Sequence, residues 1–366
     1  MRILNIIFYL IFILSPITSK AMDKDDLTQQ KALAAKGDSC FKAYDYFHAL
    51  QYYDKLNDGF INHYASTARN LAEVYHRTGR NTLWANTLQR INKDSVTYQD
   101  LRSMFFAYKI NEAEDSLTLY GDSILRINPY DSEIVVSMAS FFNDNQHPDK
   151  AMRICGDYMQ KDSTNLTVMR QYGYAAHLSN QPKVALKTYK KLESNGFKNY
   201  ESSLIIGLSL IKLDSTWESR PYLWEAVTQR KPNEYTSLLH WGNVQIACGE
   251  YDEGIGSLKE VLNIVLPDNE LMYSIHHDIG EAYFHKQDYK NAVKEFQECL
   301  NYKTEKPLLY YNIAQMYGAL KESNKEGLFY KKFLDKSHHL PETKENKDII
   351  KQAEERLEAL RKELKK

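Results

Sequence analysis

Residues 37–56 read GDSCFKAYDYFHALQYYDKL, and residues 280–299 read GEAYFHKQDYKNAVKEFQEC. With Gly37 set over Gly280, Tyr46 falls on Tyr289, Ala49 on Ala292 and Tyr53 on Phe296. Small and aromatic residues at fixed offsets in two distant windows point to an internal repeat, which must be settled before any fold is named.

Working outward from Gly37, the marker position recurs at Ala72, Phe105, Ala139, Gly173, Gly207, Gly242, Gly280 and Ala314, in steps of 35, 33, 34, 34, 34, 35, 38 and 34 residues. Twelve residues on stands a second small residue in several windows: Ala49, Ala151, Ala185, Gly254 and Ala292. Four further on stands a bulky one, such as Tyr53, Tyr189, Leu223, Leu258 or Phe296. Polar breaks separate the small pair, among them TGR at 78–80, SNQPK at 179–183 and HKQD at 285–288. Pro129, Pro232, Pro267 and Pro307 mark repeat ends. Apolar residues at three- and four-residue spacing flank each break, the period of one helical face. Each step therefore reads helix, short turn, helix, linker. Two antiparallel helices approach closely only where side chains are tiny, so Gly280 and Ala292 are expected to let their backbones cross. A helical glycine costs about 1 kcal/mol relative to alanine, and its recurrence implies a packing return. The window at 98–129 fits poorly, since Phe105 and Leu117 fill both small positions. The last window is loose at Glu326-Gly327. The longer step before Gly280 is expected to extend the preceding second helix and its linker near 263–271.

This pattern resembles the tetratricopeptide repeat family. Ile279-Gly280, Tyr283, Ala292 and Phe296 match its motif well, with Cys299 where a final alanine is usual. Trp241-Gly242 with Gly254, and Tyr172-Gly173 with Ala185 and Tyr189, match less fully. The resemblance implies an all-α fold: a right-handed solenoid of about nine helix hairpins, spread over residues 22–336. No single pair can bury both faces, so stacking neighbours must build the core.

The ends differ from the array. Residues 1–21, MRILNIIFYLIFILSPITSKA, carry Arg2, a greasy run from Ile3 to Leu14, and a small-x-Ala ending. That is the layout of a secretory signal peptide. The 12-residue run is short of the roughly 18–20 needed to span a bilayer. A retained membrane anchor is the alternative. The expected location is exported, periplasmic or envelope-associated, or cytoplasmic if translation starts at Met22, with no stable membrane insertion of the mature chain. Residues 337–366 end in a stripe of Ile349, Ala353, Leu357, Leu360 and Leu364 among charged residues. This predicts a helix that caps the array, the alternative being a homodimer contact.

Lys+Arg number 47 and Asp+Glu 48, a formal net charge of −1. The whole chain lacks the basic excess of a nucleic-acid binder. Its four cysteines form no C-x-x-C pair, which predicts isolated, buried thiols. There is no H-E-x-x-H, no G-x-S-x-G and no phosphate-binding glycine loop, and the Ser39-x-x-Lys42 match lacks its companion motifs. His277 and His285 stand eight apart on one helix, about 12 Å of rise, too far for one metal ion. No catalytic constellation, cofactor or metal site is expected.

The resemblance implies that first helices line a groove, with positions −3, +1 and +4 from the marker facing it. The N-terminal half offers Arg69, His76, Arg102, Phe106, Lys109, Arg170, Tyr174 and His177. The C-terminal half offers Leu204, Leu208, Leu239, Asn243, His277, Phe284 and Tyr311. The first set is cationic and suits a carboxylate; the second is largely apolar. The Lys/Asn clamp that some family members use for chaperone tails is not supported, since Leu239 stands where the lysine before Asn243 should be. The function expected is a non-enzymatic scaffold that holds a protein or peptide. The alternatives are a sensory module acting with a separate membrane signalling protein, and a glycan-binding or enzyme accessory subunit.

Overall fold

The computed structural model describes residues 24–265, 268–302 and 306–363. The leader at 1–21, Met22, Pro267 and Leu364 lie outside them. No strand occurs among the described residues, and no helix there is long and apolar enough to cross a membrane.

Nine turns share one geometry, and it confirms the register read from the markers. The seventh residue after each marker has a left-handed backbone: Tyr44, Gly79, Glu112, Gln146, Asn180, Asp214, Gly249, Gln287 and Lys321, with φ between 53° and 84°. The next N–H reaches back five residues, as in Asp45 to Cys40 at 2.9 Å, Ala113 to Tyr108 at 3.0 Å and Glu322 to Tyr317 at 2.9 Å. This closes the helix C-terminus by satisfying a carbonyl that has no partner further along the helix. The turn after Phe105 obeys the rule as well as that after Gly280, so the window that fits the motif poorly is a full repeat.

The chain forms two compact units, one ending at Gln181 and one starting at Pro182. In the first, Lys24–Lys42 precedes Tyr46–Tyr53, Ala65–Arg77 precedes Asn81–Gln89, Tyr98–Ile110 precedes Glu114–Ile127, Ser132–Asp144 precedes Pro148–Met159, and Leu166–Leu178 closes the unit. A short extra helix, Asp58–His63, follows the first pair, capped by the Asn57 side chain accepting from the Phe60 N–H. The second unit opens with Pro182–Ser194. Its pairs are Tyr200–Ile211 with Thr216–Gln229, Thr236–Ala247 with Tyr251–Ile264, Asn269–His285 with Tyr289–Tyr302, and Pro307–Ala319 with Ser323–Lys336; Lys344–Glu363 ends it.

Packing explains the recurring glycines and changes the reason expected for them. A Cβ on Gly37 would stand 2.5 Å from the Tyr53 ring, one on Gly207 2.8 Å from Leu223, and one on Gly280 3.2 Å from Phe296. The marker glycine makes room for the bulky side chain sixteen residues on. Direct backbone approach occurs at Gly254, whose Cβ would meet the Gly242 carbonyl oxygen at 2.9 Å. In the third repeat the sizes are exchanged. Phe105 fills the marker position, fully buried, and Gly121 stands where the bulky residue is usual. Met138 of the next repeat packs onto that glycine, within 2.8 Å of where its Cβ would lie.

The 38-residue step is also accommodated differently than expected. Tyr251–Ile264 keeps 14 residues, like its counterpart Thr216–Gln229. The added length goes to the next first helix, Asn269–His285, which has 17. At the C-terminus the final helix buries Ala353 and Leu360 against the last repeat. Glu326, at the last small position, is 3 % exposed. Gly318 leaves space for its carboxylate, and Arg356 of the final helix donates to both oxygens, at 2.7 and 3.1 Å. A buried glutamate thus fits because the cap brings its own guanidinium.

Candidate functional site

In the first unit the cationic first-helix face is not free. The Arg69 guanidinium donates to Asp100 at 2.9 and 2.8 Å and to the Ser95 carbonyl at 2.6 Å. Arg102 pairs with Asp131 and Glu133 and keeps 16 % side-chain exposure; its guanidinium lies 5.8 Å from the Phe106 ring. Arg170 is half-buried and also partnered. The expectation of three arginines open to a carboxylate is corrected: the first two tie each first helix to the start of the next. Asp100 closes a capping box with Thr97, and Asp131 is the N-cap of Ser132–Asp144. Each carboxylate therefore serves a helix N-terminus and an arginine from the repeat before. Burial works against ionisation of Asp100, but Arg69 and the Thr97 N–H and hydroxyl outweigh it, and the carboxyl titrates below its usual range. Asp131 is held low in the same way, against burial, by Arg102, the Tyr98 hydroxyl and the Ile134 N–H. The sequence signal was present as Thr97-x-x-Asp100, the spacing of a capping box.

His76 stacks on Trp84 with ring centroids 3.9 Å apart, and its Nδ1 is buried without a hydrogen-bond partner. Phe106 and Lys109 are half-buried, as is His177, which has a partner. Tyr174 is 36 % exposed.

The second unit brings its expected residues together. Leu204, Leu208 and Ile211 of one first helix and Leu239 and Ile246 of the next pack against one core cluster, built on Leu223, Leu238 and Leu258. All five are half-buried, so each keeps an accessible edge. Asn243 sits within this row, and its Oδ1 is buried without a partner. Phe284 is 42 % exposed and meets Tyr289 edge-on at 5.9 Å. His277 lies between Tyr273, 5.8 Å away, and Phe296, 5.4 Å away. Tyr311 does not belong to an open face. It is 8 % exposed and its hydroxyl donates to Gln352 of the final helix at 3.1 Å. The cap covers the position that the repeat pattern assigned to a groove.

The histidine segment gathers donors that the sequence reading did not combine. Ligand atoms of His277, Asp278 and Glu281 lie within 4.8 Å of one another. Asp278, and more weakly Glu281, raise the His277 pKa against the opposing effect of burial. The geometry favours a proton on the imidazole, which competes with any cation there. His276 is spent elsewhere, with Nδ1 2.8 Å from a Glu295 carboxylate oxygen. Cys155 and Cys299 are buried, and burial pushes each thiol up to about 12. Both are inert groups of the kind the cysteine spacing implied, whereas Cys40 and Cys248 are only half-buried, which corrects the expectation of four buried thiols.

Two exposed tryptophans were missed. Trp217 and Trp224 lie seven residues apart on Thr216–Gln229, 69 % and 53 % exposed. Arg220 places its guanidinium 4.9 Å from Trp217 and 5.4 Å from Trp241, and donates to Glu250 at 2.7 Å. A strip of this kind faces out from a second helix, away from the positions that the repeat pattern singles out.

No family model matches the chain, and no curated protein matches it. Solved structures do resemble it. YrrB, described as a TPR protein with an unusual peptide-binding site, is 17 % identical at a TM-score of 0.45, over 52 % of this chain and 95 % of that one. A chain of the APC/C hetero-tetramer Cut9–Hcn1 is 12 % identical at 0.46, over 91 % of this chain and 65 % of that one. A tetratricopeptide repeat protein from Parabacteroides merdae is 10 % identical at 0.41, over 70 % and 99 %. On its own repeat length, its nine left-handed turns among the described residues and its glycine-to-bulky packing, each unit is an all-α array of helix hairpins, similar to those of tetratricopeptide repeat proteins.

Proposed function

We propose that the chain is a binding scaffold that holds a protein or peptide segment against the first helices of its second unit. The observation that carries this reading is the aliphatic row of Leu204, Leu208, Ile211, Leu239 and Ile246, each half-buried on a rigid core. Clustered accessible apolar side chains of this kind mark interaction surfaces. Asn243 adds a polar group that lacks a partner in the free chain, and a peptide N–H would supply one. Arg69 and Arg102 of the first unit, being paired, position helices and do not recruit the partner. Binding and no chemical step is what these residues support.

Photocrosslinking tests the surface. A crosslinking residue at Leu204, Leu239 or Phe284 is expected to trap one partner, while the same residue at Leu328, an exposed second-helix position, traps none. Equal adducts at Leu328 overturn the reading. The leader-like residues 1–21 support an envelope location as part of the same proposal. N-terminal sequencing of the protein from cell fractions is expected to begin at Met22 in the envelope; a cytosolic product beginning at Met1 refutes it.

A further inference from the structure

We propose that a hollow in the first unit, opening between the second helices Glu114–Ile127 and Pro148–Met159, binds a small apolar group that ends in a carboxylate. The hollow measures about 280 Å³, near the lower bound of small-ligand sites. Its floor is Val135, Met138 and Phe142 of Ser132–Asp144, none more than 3 % exposed. Met138 connects the hollow to the exchanged sizes in the third repeat. Gly121 carries no side chain, Met138 leans onto its backbone, and the same Met138 forms part of the floor.

The walls carry an unbalanced charge. Arg126, Lys150, Arg153 and Lys161 line it together with Asp122 and Asp157, and with Glu114 offsetting Lys150 one positive charge remains in surplus. Two of the cations are occupied: Lys150 pairs with Glu114 at 2.5 Å, and Lys161 donates to the Asp157 carbonyl at 3.1 Å. Arg126 and Arg153 are exposed, and among the described residues neither has a carboxylate partner. This separates them from Arg69 and Arg102 of the same unit, whose guanidiniums are committed. An apolar floor takes a hydrocarbon body, and two uncommitted guanidinium forks at the rim take its carboxylate. A neutral apolar guest would leave the arginines unused, and a cation would meet the surplus of like charge.

A free acid and the C-terminal residue of a peptide offer the same chemistry. The site lies on second helices, so it stands or falls independently of the first-helix surface proposed above. The test titrates the full chain, labelled at its methionine methyl groups with carbon-13, with octanoate and with N-acetyl-leucyl-phenylalanine, each beside its own amide. The Met138 resonance is expected to shift with an acid and not with its amide. Response to octanoate alone assigns the free acid; response to the dipeptide alone assigns a peptide C-terminus. The double variant Arg126→Glu with Arg153→Glu changes two exposed side chains and is expected to keep the parent Tm while weakening binding roughly tenfold or more. Absence of a Met138 shift with either acid, equal shifts with the amides, or undiminished binding by the charge-reversed variant overturns the proposal.

Discussion

The first-helix faces of the two units use the same positions for opposite purposes. In the first unit, Arg69 and Arg102 reach the capping carboxylates Asp100 and Asp131 of the following repeat. In the second, Leu204, Leu208 and Leu239 lean on a shared aliphatic core and keep an edge in solvent. A charged face in the sequence has become internal stitching, and an apolar face has remained available. Charge on a helix face is therefore a poor guide to contact unless its partners are known. The second unit's arginines make the same point from the other side: Arg220–Glu250 and Arg230–Glu260 link consecutive second helices.

The strongest test of the contrast is Asp131→Ala. It removes an N-cap and the buried partner of Arg102, whose side chain is 16 % exposed, leaving that guanidinium only the exposed Glu133. Such a loss costs about 3–5 kcal/mol, to be measured by urea unfolding. A cost below about 1 kcal/mol would reduce the ladder to an exposed pair. Leu208→Ala in the second unit should cost only about 1–2 kcal/mol, because the side chain is half-buried and forfeits part of its transfer energy.

Acidity should separate the two regions next. Asp100 and Asp131 titrate below the unfolded value of about 3.9. Their contribution is complete above that value and is lost as pH falls through the lower folded values. His277 titrates above its unfolded value of about 6.5, so its contribution is complete below that and is lost as pH rises through the folded value. Hydrogen exchange should show residues 98–144 losing protection on acidification, and residues 269–285 losing some between neutral and alkaline pH. Identical pH profiles for both segments would remove the electrostatic part of the comparison.

The smallest effect concerns what the units share. Glu112 holds a left-handed backbone, φ 54°, where Gly249 holds φ 84°. Glu112→Gly should relieve that strain and change stability by less than about 1 kcal/mol, in the stabilising direction, since the gain is offset by greater unfolded-state freedom. A clear loss in melting temperature would mean that the Glu112 side chain contributes more than its backbone costs.

The repeat was legible because size recurs at a fixed offset. Gly37, Gly207, Gly242 and Gly280 stand out against Tyr53, Leu223, Leu258 and Phe296, and the structure packs each upon its counterpart. The third repeat was hard to read because Phe105 and Gly121 exchange sizes, which keeps the pattern of a small and a large residue while reversing its order. The turns were legible as polar breaks and not as glycines: seven of the nine left-handed residues that close them are not glycine. Among the groove candidates, the aliphatic ones of the second unit remain accessible and cluster, whereas Arg69 and Arg102 are spent on neighbours and Tyr311 lies under the final helix. None of those partners is near in sequence. Asp100 follows Arg69 by 31 residues and Gln352 follows Tyr311 by 41.

The sequence by itself determined the helices, their pairing period, the recurring small and bulky positions and an amphipathic final helix, since each depends on spacing along one or two adjacent helices. Only the tertiary structure decided which charges are committed, where the four added residues before Gly280 went, and that a hollow opens over Met138. Those outcomes depend on how one repeat is placed against the next. That placement brings together side chains some thirty residues apart, whose pairing no local period encodes.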